Sequence, residues 1–339
     1  MTVLFLRRQA LGGTATHSES LAAALGNHGI AVSIEDAASW IPNETGSRVD
    51  KKISDRLRKL AAPYDLVHAF GYRSAWACSH AFSHKEAWIY TGYDLPKTTH
   101  RLLISALNDA QAGIVSCHAV FRALDEAIAL DLNVIPPGIA TVREAPPPKS
   151  TLKESFGLDP DAHLLGVLAR LVPERGVRSV IDAMETVWKS HPTAHLVIAG
   201  EGPEQDHLKY LASETANPTQ IRFQGRVTDK DRFFGALDLL VVPSTRAAFS
   251  MAALEAMARS VPVLLRHTGG LPEMIDEDVS GYLFDSDEQL GPRLVELLDM
   301  PLAIQSAGRA GRIRSLELFN IDRCAQMVAD LYRSVVEGV

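Results

Sequence analysis

Two arginines, Arg170 and Arg175, stand five positions apart in the segment Leu168-Ala169-Arg170-Leu171-Val172-Pro173-Glu174-Arg175-Gly176, directly after an apolar run. In a strand-to-helix loop, two guanidiniums can converge on a diphosphate through bidentate, charge-assisted hydrogen bonds and stabilise it as charge builds on a leaving group. Arg175 alone is equally compatible with a solvated surface residue. Further along, Val242-Pro243-Ser244-Thr245-Arg246-Ala247-Ala248-Phe249-Ser250 continues through Met251 and Ala252 to Glu255. Small residues leading into a helix offer free amides to phosphate or sugar oxygens, and a carboxylate in that helix can accept from ribose hydroxyls. A lone helical Glu is otherwise usually solvated.

Four more segments have the character of glycine turns or strand ends. Gly12-Gly13, followed by Thr14, Ala15, Thr16 and His17, opens the first helix and lets a backbone come close to an anion at a helix N-terminus. A flexible turn that merely starts a helix explains this segment as well. Ala199-Gly200-Glu201-Gly202-Pro203-Glu204 is either a ligand loop or a good helix start with Pro near the first turn. Phe223-Gln224-Gly225-Arg226-Val227 ends a strand where a nucleotide base could lie against backbone, and Thr268-Gly269-Gly270-Leu271-Pro272-Glu273 is another glycine turn into a helix.

These segments need strands to place them. Short Val, Ile and Leu runs alternate with longer amphipathic stretches throughout, the pattern of βα units on a parallel sheet. Strands are expected near Val3–Leu6, Ala31–Ile34, Leu66–Ala69, Trp88–Thr91, Gly113–Ser116 and Asn133–Ile135, then near Leu164–Ala169, Leu196–Ala199, Ile221–Phe223, Leu239–Val242, Val261–Leu265 and Tyr282–Phe284. Between the two series, residues Pro136 to Ser150 include Pro136, Pro137, Pro146, Pro147 and Pro148, which suit a linker. At 339 residues the chain exceeds one core, so two α/β, Rossmann-like doubly wound domains facing across a cleft are expected. Their expected bounds are 1–143 and 144–318. Ligands of such sheets sit at the carboxyl ends of the strands.

In their order and intervals, the five segments from Arg170 to Glu273 resemble the nucleotide-binding half of retaining GT-B glycosyltransferases of the family 4, or group 1, type, the large family of mannosyl- and sucrose-type transferases. The resemblance covers nearly all of residues 163–300. In the first half it rests on Gly12-Gly13, Asp65-Leu66-Val67-His68 and the strand to Ser116. It implies that Arg170 and Arg175 grip the donor diphosphate, that Glu255 binds the donor ribose, and that the amides of Phe249, Ser250, Met251 and Ala252 face sugar and phosphate. Arg226 and Val227 would lie along the base, Gly12 and Gly13 would cover the diphosphate from the opposite domain, and a final helix over 319–339 would return to the first domain. It also implies a UDP-, GDP- or ADP-linked sugar as donor, no metal and no other cofactor, and retention at the anomeric carbon. The acceptor would be a small molecule, glycan or lipid. Three departures stand out. Ala247 occupies the place of the first Glu of the family's pair, Arg175 replaces the usual Lys, and Tyr93, or Gly92, beside Asp94 stands where many members carry a His near the sugar. Tyr93 could offer its hydroxyl there or simply pack.

The remaining features exclude more than they add. Residues 1–142 carry 13 basic and 13 acidic side chains and the rest 21 and 28, so no basic excess points to nucleic acid. Cys78, Cys117 and Cys324 are dispersed without metal-ligand spacing and suggest buried thiols. Asp159-Pro160-Asp161 has the carboxylates of a metal-dependent transferase but the composition of a turn. His80 and His84 are one helical turn apart without a third ligand. The apolar run Val3 to Leu6 is too short for a signal peptide and no later run is long enough to span a bilayer, so a cytoplasmic protein is expected. Residues 48–60 form a basic amphipathic stretch that could touch anionic lipid at the inner membrane face, although such a stripe more often packs on a sheet. Two other functions fit the same residues: a catalytically weak or silent relative that binds nucleotide or sugar as a partner protein, motivated by Ala247, and a sugar-nucleotide epimerase.

Overall fold

The computed structural model describes the chain except residues 9–11, 43–50, 84–85, 96–103, 105, 126, 143–148 and 339. It divides into two compact units, Met1–Ala140 with Leu318–Val339, and Thr141–Glu317. The first division falls within the proline-rich stretch.

In the first unit, six strands form one sheet: β1 (Thr2–Arg7), β2 (Ala31–Asp36), β3 (Leu66–Phe70), β4 (Trp88–Gly92), β5 (Ala112–Val115) and β6 (Leu132–Val134), in the order β2-β1-β3-β4-β5-β6. Every pairing is parallel. The inner strands β3, β4 and β5 are buried on both faces, which is why they appear in sequence as unbroken apolar runs. Edge strand β2 alternates exposed and half-buried residues over most of its length. The helices are α1 (Gly13–Gly26), α2 (Lys51–Ala61), α3 (Tyr72–Ala81) and α4 (His118–Asp125). In α2, Ser54, Leu57 and Ala61 are buried while Lys51, Lys52, Arg56, Arg58 and Lys59 are exposed, so the apolar stripe packs inward. Of the 48–60 stretch, residues 48–50 lie outside the described residues.

The second unit holds α5 (Lys149–Ser155), β7 (Leu164–Leu168), α6 (Val177–Ser190), β8 (His195–Ala199), α7 (Gln205–Ser213), β9 (Ile221–Gly225), α8 (Lys230–Ala236), β10 (Leu239–Val242), α9 (Met251–Met257), β11 (Val263–Arg266), β12 (Tyr282–Phe284), α10 (Asp287–Leu298) and α11 (Pro301–Leu318). The sheet order is β12-β11-β10-β7-β8-β9, again all parallel. This is the doubly wound order in which the chain moves outward from β7 to one edge, then returns to the centre at β10 and moves to the other. The reversal lies between β7 and β10. Each of the twelve apolar runs singled out in the sequence forms a strand. Asp159-Pro160-Asp161 is a turn, with the Asp161 amide donating to Asp159 Oδ1 at 2.8 Å.

The last helix, α12 (Ile321–Glu337), returns to the first unit. Its buried residues Ile321, Cys324, Ala325, Val328, Ala329, Tyr332 and Val335 recur at helical spacing and join the core formed by Phe5, Leu21, Ile89 and Ile114. Asn320 caps it through Oδ1, which accepts the Asp322 amide at 2.7 Å. The return of the C-terminal helix expected from the sequence is thus observed, and all three cysteines are free and buried.

One polar chain runs through that core. His68 in β3 pairs through Nδ1 with the Tyr332 hydroxyl and through Nε2 with Thr91 Oγ1, each at 2.5 Å. His17 in α1 donates from Nδ1 to the Gly138 carbonyl at 3.2 Å. Burial pushes His17 down from 6.5 to about 4, and burial with the neighbouring His17 pushes His68 to about 3. Folding therefore takes both imidazoles neutral, whereas the unfolded chain protonates them below about pH 6.5. The unfolded state binds more protons across this window, so stability that is complete above pH 6.5 is lost as the pH falls towards 4 and then 3. Each histidine should steepen that loss by about 1.4 kcal/mol per pH unit. Urea midpoints followed from pH 7 to 4 should show a shallower acid decline for His68→Gln than for the wild type; parallel declines would contradict this account.

Candidate functional site

In the second unit the sheet order places the loop after β7 beside the loop after β10, at the point where the winding reverses and helix N-termini diverge. The β7 loop carries Arg170 and, in a single 3-10 turn Pro173–Arg175, Arg175. The β10 loop carries Pro243 to Ser250. The Thr245 amide donates to the Glu174 carbonyl at 3.0 Å, and a Cβ at Gly176 would lie 2.2 Å from the Pro243 carbonyl oxygen. Only a residue without a side chain lets the two loops come this close.

The β8 loop packs under the β7 loop in the same manner. Ala169 N donates to Ala199 O at 3.0 Å, Leu171 N to Glu201 O at 2.9 Å, and Glu204 N to Leu171 O at 3.0 Å. At Gly200, with φ of 120°, an added Cβ would sit 1.8 Å from the Ala169 carbonyl oxygen, and at Gly202 one would sit 2.2 Å from that of Leu171. The glycines of this segment therefore serve loop packing as well as helix initiation. Gly200 N donates to Gly225 O at 2.7 Å, and on the other side Gly270 N donates to Ala247 O at 3.1 Å. The five separate segments of the sequence are in this way one continuous backbone network along the carboxyl edge of the sheet.

On this edge Arg170 and Arg226 are exposed, and neither guanidinium has a hydrogen-bond or ion-pair partner among the described residues. Arg175, Val227, Phe249, Ser250, Met251 and Ala252 are half-buried. The Ser250 hydroxyl caps α9 by accepting the Ala253 amide at 3.2 Å, while its own amide faces Met274 Sδ at 3.4 Å. The amides of Met251 and Ala252 have no acceptor among the described residues. Of the four amides expected to face a ligand, Ser250 is thus already engaged.

Glu255 differs from a solvated helical carboxylate: it is 6% exposed and Oε1 accepts Lys230 Nζ at 2.6 Å. Beside this pair, Arg259 Nε meets Asp231 Oδ1 at 2.7 Å, and Arg259 Nη1 donates to the Glu255 carbonyl at 3.1 Å. Lys230 and Asp231, the first residues of α8, thus hold Glu255 in α9 and Arg259 just beyond its end. Sequence reading missed Lys230. Its signal was the Asp229-Lys230-Asp231 helix start, where Asp229 caps by accepting the Arg232 amide, but nothing local pairs position 230 with position 255. Ala247 and Ala248 are buried.

Gly12, Gly13, Tyr93 and Asp94 lie in the first unit. Gly12, with φ of 92°, precedes α1, and both glycines are exposed. Beneath them the buried Arg7, the last residue of β1, binds Ala15 O at 3.1 Å, Ser18 Oγ at 2.8 Å, Glu19 at 3.0 Å and Asp36 at 2.5 Å. This fixes the first turn of α1 behind the glycine pair. Tyr93 packs against the core, its ring edge-on to His17 at 5.5 Å and stacked with Phe70 at 6.2 Å. Burial pushes its hydroxyl well above the usual tyrosine range. Asp94 is exposed, and its carbonyl accepts the Tyr72 hydroxyl at 3.2 Å. His84, the second histidine of the weighed metal pair, lies outside the described residues. Among the described residues, no three His, Cys, Asp or Glu side chains converge as a metal site, and no helix is long and apolar enough to cross a membrane.

Two doubly wound parallel sheets joined by a returning C-terminal helix, with open glycine loops at strand ends, define the GT-B class of α/β proteins. Residues 148–314, nearly the whole of the second unit, match the family described as glycosyl transferases group 1. A D-inositol 3-phosphate glycosyltransferase of Segniliparus rotundus is 29% identical over 61% of this chain and 48% of that protein. A GDP-mannose-dependent alpha-(1-6)-phosphatidylinositol monomannoside mannosyltransferase of Mycobacterium tuberculosis is 31% identical over 60% of this chain and 56% of that protein. In its first matches the chain spans about half the length of the curated relatives. The fold is shared with a sucrose-phosphate synthase of Thermosynechococcus elongatus (TM-score 0.86, 19% identity, 100% of both chains). It is also shared with Anabaena HepE in complex with UDP-glucose (TM-score 0.84, 21% identity, 98% of this chain and 100% of that one).

The stacking of the β7 and β8 loops makes a direct prediction. Gly200→Ala combines a forbidden approach with a positive φ and should cost about 3 kcal/mol or more, against about 1 kcal/mol for Gly12→Ala, where nothing lies within 4 Å of the added methyl. Denaturant midpoints of the two variants test this, and equal small shifts would show that the loops do not meet.

Proposed function

We propose that the protein is a glycosyltransferase that moves a sugar from a nucleoside-diphosphate donor to a hydroxyl acceptor, with retention at the anomeric carbon. The observation that carries this reading is the joining of the Arg170–Arg175 loop to the loop that starts the Glu255 helix, at the winding reversal of a unit matched by the group 1 family. A diphosphate there would meet the unengaged Arg170 guanidinium and the open amides of Met251 and Ala252, so that charge developing on the departing nucleotide is stabilised by donors already in place. Arg175 would add a second positive charge. Glu255 would hold the ribose, Arg226 and Val227 would line the base, and Gly12 and Gly13 would approach the diphosphate from the first unit. Asp94 or Tyr93 would add a contact to the sugar; Asp94 is exposed, whereas Tyr93 packs against the core of its own unit.

The relatives lend support at the level of substrate class. Some are named for GDP-mannose and for inositol phosphate or phosphatidylinositol substrates, and fold neighbours were solved with UDP and with UDP-glucose. A nucleotide-sugar donor and a polyol, glycan or lipid acceptor fit these names. Cytoplasmic placement, with any inner-membrane contact made by the exposed basic residues of α2, belongs to the same reading.

Titration calorimetry with UDP, GDP and ADP should find one that binds below millimolar concentration, and Arg170→Ala should weaken it by about tenfold or more. Failure of all three to bind removes the basis of the reading. Buried Ala247 supports a second reading, a nucleotide-binding relative with little turnover, since a sugar-facing carboxylate there would contribute about 1.5–3 kcal/mol. A donor panel assayed for release of free nucleoside diphosphate separates the two: release dependent on an acceptor supports transfer, and binding without release supports the silent relative.

A further inference from the structure

We propose that Lys230 is a positioning residue for the nucleotide ribose, holding Oε1 of the buried Glu255 so that the rest of the carboxylate is presented to a vicinal diol. This rests on the donor-binding reading above and adds a residue to it. A carboxylate only 6% exposed needs a counter-charge, and Lys230 Nζ supplies it at 2.6 Å from the start of a different helix. The carboxylate has about four lone-pair sites, of which this bond uses one. The adjacent Asp231–Arg259 pair is opposite in polarity and does not touch the Glu255 carboxylate; Arg259 bonds only the Glu255 backbone carbonyl. Lys230 also lies three residues beyond Val227 on the stretch assigned to the base. One ion pair therefore ties the base-side segment to the ribose-side carboxylate. Without Lys230, Glu255 is a buried charge lacking a partner and must turn towards water, away from the orientation a diol requires.

The ligand chemistry is a ribonucleoside diphosphate in preference to its 2′-deoxy counterpart. The experiment measures, by calorimetry, the affinities of the best-binding ribonucleoside diphosphate, its 2′-deoxy form and inorganic pyrophosphate for the wild type, Lys230→Met, Lys230→Arg, Glu255→Gln and Asp231→Asn. The wild type should prefer the ribonucleotide by about tenfold. Lys230→Met and Glu255→Gln should reduce that preference to within about twofold and leave pyrophosphate binding nearly unchanged, and Lys230→Arg should restore most of it. Asp231→Asn, which breaks only the neighbouring pair, should lower stability and keep the preference. A purely structural Lys230 would move all three affinities together. An unchanged ribose preference in Lys230→Met, or none in the wild type, overturns the proposal and leaves the glycosyltransferase reading standing; absence of any nucleotide binding overturns both.

Discussion

The second unit depends on how closely its strand-end loops approach one another. Three backbones, those after β7, β8 and β10, are in contact at distances that a single methyl group at Gly176, Gly200 or Gly202 would prevent. Parallel strands bring their carboxyl ends to one edge as a matter of topology, but topology alone leaves loops free to splay. The glycine contacts and the amide-to-carbonyl bonds across them turn five loops into one surface, on which Arg170 and Arg226 are left unengaged. Rigid support beneath exposed donors matters for any anion that binds there, because little ordering entropy is then lost on binding.

Both units secure their strand-end loops with a buried charge rather than with apolar packing alone. In the first unit Arg7 reaches from the end of β1 to two carbonyl or hydroxyl groups of α1 and to two carboxylates, which fixes the helix that follows Gly12 and Gly13. In the second, Lys230 and Asp231 hold Glu255 and Arg259. An apolar contact at either place would slide at little cost, whereas a buried ion left without its partner costs about 3–5 kcal/mol, so each helix has one favoured register.

The strands were legible in the sequence because they are written in a local pattern, doubly buried strands being continuous Val, Ile and Leu runs, whereas the return of the last helix was implied only by the family resemblance. The candidate site was legible in its glycine turns, because a close approach of two backbones leaves no room for a side chain. It was illegible where the partner is remote. Glu255 looked like a solvated helical carboxylate because Lys230 is 25 positions away, and its burial follows from how α8 crosses back over the sheet. Tyr93 was open to two readings until the ring was seen against His17 and Phe70. The ends of the strands drifted by up to two residues, as at β11, because Val261 and Pro262 are apolar and buried yet precede the first paired residue, Val263.

The sign of the charge along this edge bears on Ala247. Glu255 is neutralised by Lys230, Asp231 by Arg259, and no carboxylate stands at position 247, while Arg170 and Arg226 remain uncompensated. Arg170 and Arg226 thus stand beyond the ends of β7 and β9 with no carboxylate paired to them among the described residues. On the proposed reading this favours the diphosphate and its accumulation of charge during departure, and it withdraws help from the sugar, whose hydroxyls find a buried methyl at 247 in place of an acceptor. Orientation of the sugar within this unit must then come from backbone groups of Phe249 to Ala252. Such a division, with strong binding of the leaving group and weak direct recognition of the transferred group, tolerates changes in the sugar more readily than changes in the nucleotide.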